Sequence, residues 1–108
     1  MIALSIRQPY AEQILRGTKK VEYRNMSTKK RERVYIYASR TPAPARYWRE
    51  IGLKPGELPT GVLVGTVEIV DCIENGFKDY HWRLANPLRL RKSIKPGNHP
   101  QLAWFYPF

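Results

Sequence analysis

The sequence has little of what disulfides, metal sites and membrane spans require. Its 108 residues include one cysteine and two histidines, so an internal disulfide is impossible and the residue spacing matches no metal site. No apolar run approaches the ~20 residues of a membrane-spanning helix, and the N-terminus lacks the apolar core of a secretion signal. We therefore expect a cytoplasmic protein with no metal and no cofactor.

Acidic residues are also scarce. Nine Asp and Glu stand against nineteen Lys and Arg, which gives a formal net charge of +10. So large an imbalance on a small chain creates a positive field that attracts polyanions, and nucleic acid is the leading candidate. The alternative is a basic surface that serves only solubility.

Recognisable catalytic patterns are missing as well. The sequence contains no G-x-G-x-x-G motif and no phosphate-binding P-loop. No serine has a histidine at a familiar spacing. His81, beside Trp82, is a candidate site residue, whereas His99 lies between Asn98 and Pro100 and is interpreted as a turn residue. Cys72 lies in an apolar pattern and is interpreted as a buried small side chain.

The stretch LSIRQPYAEQILRGTKKVEYR, residues 4–24, predicts a strand, a short helix and a second strand. The first strand covers Ala3–Ile6, Pro9 begins the helix and Gly17 ends it. Glu12 and Arg16 are predicted to form an exposed pair on the helix. Because a short helix returns the chain close to its start, polar residues of both strands are expected to converge on one notch: Ser5, Arg7, Gln8, Lys19, Lys20, Glu22 and Arg24.

The remainder reads as short strands with turns. A basic connection, residues 25–33, precedes a strand over Val34–Ser39 whose Val34, Ile36 and Ala38 are expected to face the core. A short helix follows at residues 45–51. The predicted later elements are a long strand at 61–74 with a bulge or close approach at Gly65, a helical or irregular segment at 77–83, and strands at 88–94 and 101–106. The pattern predicts one α+β domain, residues 1–108: a small mixed β-barrel of five to six strands with two or three short helices.

Two motifs carry a family resemblance. LSIRQPYA followed by G-x-K-x-x-E-x-R (Gly17, Lys19, Glu22 and Arg24), with weaker similarity in VYIYASR (34–40), residues 61–71 and HWRLANPLRL (81–90), resembles the ASCH domain of the PUA-like superfamily. The resemblance implies a small β-barrel associated with RNA or modified nucleotides. Some ASCH-like proteins are amidohydrolases of acetylated cytidine, and others are ribonucleases or nucleic-acid binders. The amidohydrolase branch has a hydroxyl side chain where this sequence has Glu22, and a carboxylate cannot replace it as the same nucleophile.

Together these observations predict a monomer that binds RNA or single-stranded DNA through a basic cleft beside the first helix. Tyr10, Tyr37 or Trp82 would stack on a base. The full set of predicted binding residues is Ser5, Arg7, Gln8, Tyr10, Lys19, Lys20, Glu22, Arg24, Lys29, Lys30, Arg31, Arg33, Arg40, Trp82, Arg89, Arg91 and Lys92. Two alternatives stay open. One is a hydrolase of RNA or a modified nucleoside with Lys19 and Glu22 as an acid–base pair, and the other is a module that binds an acidic protein.

Overall fold

A computed structural model describes residues 1–100 and 102–108. Six strands and two short helices make up the described chain. In order they are β1 (Ala3–Ile6), α1 (Tyr10–Leu15), β2 (Val21–Arg24), β3 (Arg33–Ala38), α2 (Ala45–Arg49), β4 (Val62–Gly76), β5 (Asp79–Ile94) and β6 (Trp104–Phe105). In this part of the chain neither helix has the length or the apolar character to cross a bilayer.

The strands form one sheet in the order β2-β5-β4-β3-β1-β6. β1 and β3 run parallel, with Ser5 opposite Tyr37 and Ile6 opposite Ala38. The other neighbouring pairs are antiparallel. The predicted α+β class is confirmed, with six strands and two short helices.

The sheet curls so that β2, at one edge, approaches β1 near the other edge. No backbone ladder joins β2 to β1 in the described residues. Instead, side chains span the gap. The Arg24 guanidinium on β2 donates to the Ser5 carbonyl on β1 at 2.9 Å. Trp82 on β5 stacks on Trp104 on β6, with ring centroids 5.7 Å apart. The predicted small mixed β-barrel is therefore not confirmed, because the sheet keeps two free edges in the described residues.

The main core lies inside this curled sheet. The prediction that Val34, Ile36 and Ala38 face the core is confirmed, since all three are fully buried in the main apolar cluster. Tyr37 points to the other side of β3, where it is buried in a smaller cluster with Leu63. Burial of β-branched side chains on one strand face is what a pleated sheet with period two requires.

Gly65 allows the first helix to approach the sheet. A Cβ atom built on Gly65 would lie 2.5 Å from the Leu88 carbonyl oxygen and also against the Leu15 side chain. The pairing of β4 with β5 is irregular between Leu63 and Gly65. The predicted irregularity and close approach at this glycine are confirmed.

In the second half of the chain, the structure differs from the sequence predictions in the segment 77–83 and in the extent of the last two predicted strands. The segment 77–83 is neither helical nor irregular, because β5 begins at Asp79 directly after a turn at Phe77 and Lys78. Its aromatic residues alternate as a strand does, with Trp82 buried between less buried neighbours. The predicted strand at 88–94 is the second half of this same strand. The last strand covers only Trp104 and Phe105, and the first residue predicted for it, Gln101, lies outside the described residues.

Candidate functional site

Glu22 lies at the centre of the predicted notch. Its buried carboxylate accepts hydrogen bonds from Nε and Nη2 of Arg24 at 3.2 and 2.7 Å, and Nζ of Lys19 lies 3.7 Å away. The same Nη2 of Arg24 donates to the Ser5 carbonyl. β2 is therefore attached to β1 through a single arginine, and four of the predicted residues meet at one place.

The side chain of Lys19 is largely buried, with 16% of it exposed. Its ammonium lies 5.3 Å from the ring centroid of Tyr10 and 4.9 Å from that of Tyr23, a geometry that allows cation–π attraction to both rings. Burial lowers the pKa of Lys19 below its ordinary value, although the neighbouring Glu22 opposes the shift. Lys19 is thus less readily charged than a surface lysine.

A pocket of about 830 Å³ opens beside this cluster. The volume falls within the range of small-molecule and cofactor sites. Among the described residues, its lining contains three arginines and one carboxylate. The lining residues are Ser5, Arg7, Tyr10, Glu22, Tyr23, Arg24, Tyr37, Ser39, Arg40, Thr41, His99, Pro100, Leu102 and Ala103.

The parallel pairing of β1 and β3 explains how the arginines reach this pocket. Because the strands are parallel, their carboxyl ends lie at the same sheet edge, and the Ser39 N–H donates to the Ile6 carbonyl at 2.9 Å. Arg7 follows the end of β1, and Arg40 follows the end of β3. Both are exposed, and neither forms an ion pair with a carboxylate in the described residues.

Tyr37, one of the predicted stacking residues, forms a contact at the pocket with His99 that the sequence did not predict. The Tyr37 hydroxyl lies 2.8 Å from Nδ1 of His99, and burial raises the pKa of Tyr37. The tautomer of His99 sets which of the two groups donates this hydrogen bond. His99 was interpreted as a turn residue, and no motif signals the contact because 62 positions separate the partners.

Two predicted residues have structural contacts instead of facing the pocket. The Gln8 amide donates to the Pro59 carbonyl at 3.1 Å, and its oxygen accepts the Glu12 N–H at 3.0 Å. The ring of Trp82 is fully buried, and its Nε1–H donates to the Met26 carbonyl at 3.0 Å. In this arrangement Trp82 offers no open face for a base, because Trp104 covers the ring.

The predicted pair of Glu12 and Arg16 forms, but Glu12 is buried and not exposed. Glu12 is only 7% exposed, and Arg89 donates to both of its carboxylate oxygens at 2.8 and 2.9 Å. Arg16 adds a bond of 2.7 Å. These contacts, chiefly that from Arg89, lower the pKa of Glu12. Arg89, predicted to track phosphates, thus fastens α1 to β5.

The other predicted cations lie outside the pocket lining. Arg33 is engaged by Thr66 and Glu68 at 2.8 and 3.0 Å. In the basic connection, Lys30 lies over the Trp104 ring and Arg31 donates to backbone carbonyls of its own loop. The remaining four are exposed and line no part of the main pocket: Lys20, Lys29, Arg91 and Lys92.

The fold and the pocket define a small α+β domain with an arginine-rich cleft at the carboxyl ends of two parallel strands. Comparison with known proteins identifies the family. The family model described as ASCH domain matches residues 4–92, so the chain belongs to the ASCH-domain family and the predicted resemblance is confirmed.

Two relatives carry the same name. Activating signal cointegrator 1 of Homo sapiens is 34% identical over 88 residues, which covers 70% of this chain and 15% of that protein. Its Mus musculus counterpart is 35% identical over 81 residues, covering 65% of this chain and 14% of that protein. The chain thus matches about one seventh of the length of these relatives. Family membership fits nucleic-acid association in general.

Proposed function

We propose that this chain binds RNA or single-stranded DNA through the pocket at the ends of β1 and β3. The observation that carries the proposal is the convergence of Arg7, Arg24 and Arg40 on one pocket. Arginine forks are suited to phosphate oxygens, because the planar guanidinium makes two parallel hydrogen bonds. The net charge of +10 draws a polyanion toward the same surface.

Aromatic rings complete a nucleotide-sized site. Tyr10 and Tyr23 line the pocket with the arginines, and base stacking on such rings contributes ~1–3 kcal/mol per base. Tyr10 keeps its predicted stacking role, and Tyr23 takes the role that was predicted for Trp82. Outside the pocket, Lys29, Lys30 and Arg31 would contact phosphates further along the strand, so that one bound chain covers several nucleotides.

The salt dependence of binding tests this proposal. If four to six phosphates are neutralised, log affinity for a single strand falls against log salt with a slope of roughly −3 to −4. Replacing Lys29, Lys30 and Arg31 by alanine should weaken binding to all sequences and flatten the slope by roughly 2. A slope near zero in an anisotropy titration contradicts the proposal.

A triple variant of equal charge serves as the control. Lys54, Lys78 and Arg83 are exposed and line none of the pockets found in the described chain. Their replacement by alanine removes the same net charge from other surfaces. If both triple variants flatten the slope equally, the effect comes from overall charge and not from the proposed path.

The second candidate function is hydrolysis of RNA or a modified nucleoside. It is favoured by one observation, the lowered pKa of Lys19 beside Glu22, because an amine with a lowered pKa acts as a base nearer to neutral pH. Incubation with labelled RNA and with N4-acetylcytidine, with and without divalent metal, tests it. Product formation that disappears in Lys19→Ala supports the enzyme, whereas stable complexes without new products support the binder.

Three further expectations accompany the proposal. We infer that the curled sheet is a PUA-like barrel whose last seam is made by Arg24 and the Trp82–Trp104 stack in place of a ladder. The cytoplasmic location and the monomeric state stay predictions. Binding of an acidic protein is the remaining alternative, and competition by polyphosphate but not by RNA or DNA would favour it.

A further inference from the structure

Four side chains of the pocket lining, all from residues that follow β1 and β3, carry guanidiniums or hydroxyls. They are those of Arg7, Ser39, Arg40 and Thr41, which we call the donor corner. They follow the carboxyl ends of β1 and β3, which the Ser39–Ile6 hydrogen bond holds in register. No carboxylate lies among them, whereas the single acidic side chain of the pocket lining, Glu22, belongs to the β2 wall.

Arg40 lies beside the Tyr37 hydroxyl, and no carboxylate of the described chain neutralises any of the four side chains. The Ser39 hydroxyl accepts the Thr41 N–H at 3.2 Å, so its own proton is available. Arg7 and Arg40 have no carboxylate partner among the described residues. Arg24, by contrast, is already bonded to Glu22 and Ser5.

We propose that the donor corner binds the phosphate monoester of a nucleotide, with the base directed toward the wall of Glu22, Tyr10 and Tyr23. The inference rests on the proposed nucleic-acid-binding function and names the ligand group of the same pocket. A monoester carries ≈ −1.5 to −2 charges near neutral pH, whereas a phosphodiester within a strand carries one. Two guanidiniums without a carboxylate partner in the described chain match the monoester in charge, and the hydroxyls of Ser39 and Thr41 supply further donors to its oxygens.

Two sources can supply this group: a free mononucleotide, or the phosphorylated end of a strand. Calorimetric titration of the full chain with uridine, its 5′- and 3′-monophosphates and inorganic phosphate measures the affinity for a free mononucleotide. Fluorescence anisotropy with eight-nucleotide RNAs measures the affinity for a strand end. These RNAs differ only in a 5′- or 3′-terminal phosphate and carry the dye at the opposite end. The proposal predicts that the monoester tightens binding at least about tenfold in one of the two series.

Variants assign that gain to the donor corner. Arg7→Gln and Arg40→Gln should each remove most of the gain, so that the ratio of affinities for the phosphorylated and unphosphorylated ligands falls toward one, whatever loss both ligands share. Arg83→Gln removes the same charge at an exposed position outside the pocket and should preserve the gain. Thermal unfolding of each variant checks that the fold is retained, and Thr41→Val tests the corner without changing charge.

The outcomes separate this inference from the proposed function. If RNA binds with the expected salt dependence but a terminal phosphate changes nothing, the monoester site is wrong and strand binding stands. If monophosphates bind through Arg7 and Arg40 but RNA does not bind, strand binding is wrong and the ligand is a free nucleotide. If Arg83→Gln loses the gain as fully as Arg7→Gln, the effect is overall charge and the inference fails.

Discussion

Substitution of Glu12 by glutamine should destabilise the protein through the junction between α1 and β5. Glu12 accepts three hydrogen bonds of 2.7 to 2.9 Å from Arg16 and Arg89. Glutamine keeps the shape but loses the charge, and its amide group cannot accept from the arginine that faced the lost oxygen. At least one guanidinium contact is therefore broken, and the rest lose their charge assistance.

The size of the loss follows from the exposure of the partners. Hydrogen bonds to charged groups contribute roughly 1.5–3 kcal/mol, but the side chains of Arg16 and Arg89 are 42% and 51% exposed. Water can therefore solvate them once Glu12 is changed, which reduces the penalty. We expect the free energy of unfolding to fall by about 2 kcal/mol and the Tm to fall by roughly 8–12 °C.

The loss should also depend on pH. The pKa of Glu12 is lowered from its ordinary 4.5, so the ionised carboxylate is favoured in the folded state. Its contribution is complete at pH values above 4.5 and is lost as the pH falls through the lower folded-state pKa. The difference between wild type and Glu12→Gln is therefore predicted to be constant near neutrality and to shrink in acid.

Urea unfolding of Glu12→Gln, Arg89→Gln and the double variant measures the coupling directly. We expect the double variant to lose about 1 kcal/mol less than the sum of the single losses. Additivity within about 0.3–0.5 kcal/mol would refute the reasoning, because it would mean that the two side chains do not interact.

Three other substitutions or titrations test separate parts of the structure. Gly65→Ala should lower the free energy of unfolding by ~3 kcal/mol, at the upper end of the usual overpacking range, because its Cβ would meet the Leu88 backbone. An unchanged Tm would contradict the close approach. Trp82→Ala should cost ~3–5 kcal/mol in urea unfolding yet leave RNA affinity unchanged for the folded fraction; a selective loss of affinity would restore its predicted stacking role. In an NMR titration of lysine 13Cε signals, Lys19 should deprotonate below the ordinary lysine pKa of 10.5, because burial lowers its pKa; a midpoint at or above 10.5 would contradict its buried position.

The fold was predictable wherever local pattern decides structure. The alternation of Val34, Ile36 and Ala38, the stop at Gly17 and the mid-strand Gly65 each have a local physical cause, and each was placed correctly. The segment 77–83 was predicted wrongly, because in the sequence a turn between two long strands resembles a break between two separate elements. Barrel closure is beyond local pattern as well, since it depends on contacts between distant strands.

The candidate site was predictable only where one short stretch brings its residues together. Ser5, Glu22 and Arg24 meet because a short strand–helix–strand unit returns the chain to its start. The pair of Tyr37 and His99 spans 62 positions and leaves no sequence signal. The partnership of Glu12 with Arg89 was missed for the same reason, since charge alone does not reveal which cations already have partners.

The most direct test of the account is to map where a single strand binds. In 1H–15N correlation spectra, including the arginine Nε–H signals, titration with an eight-nucleotide RNA should shift Ser5, Arg7, Arg24 and Arg40 most, with little change at the hairpin turn around Lys78. Shifts confined to the turn and the basic connection, with the signals of Arg7, Arg24 and Arg40 unmoved, would contradict binding in the pocket.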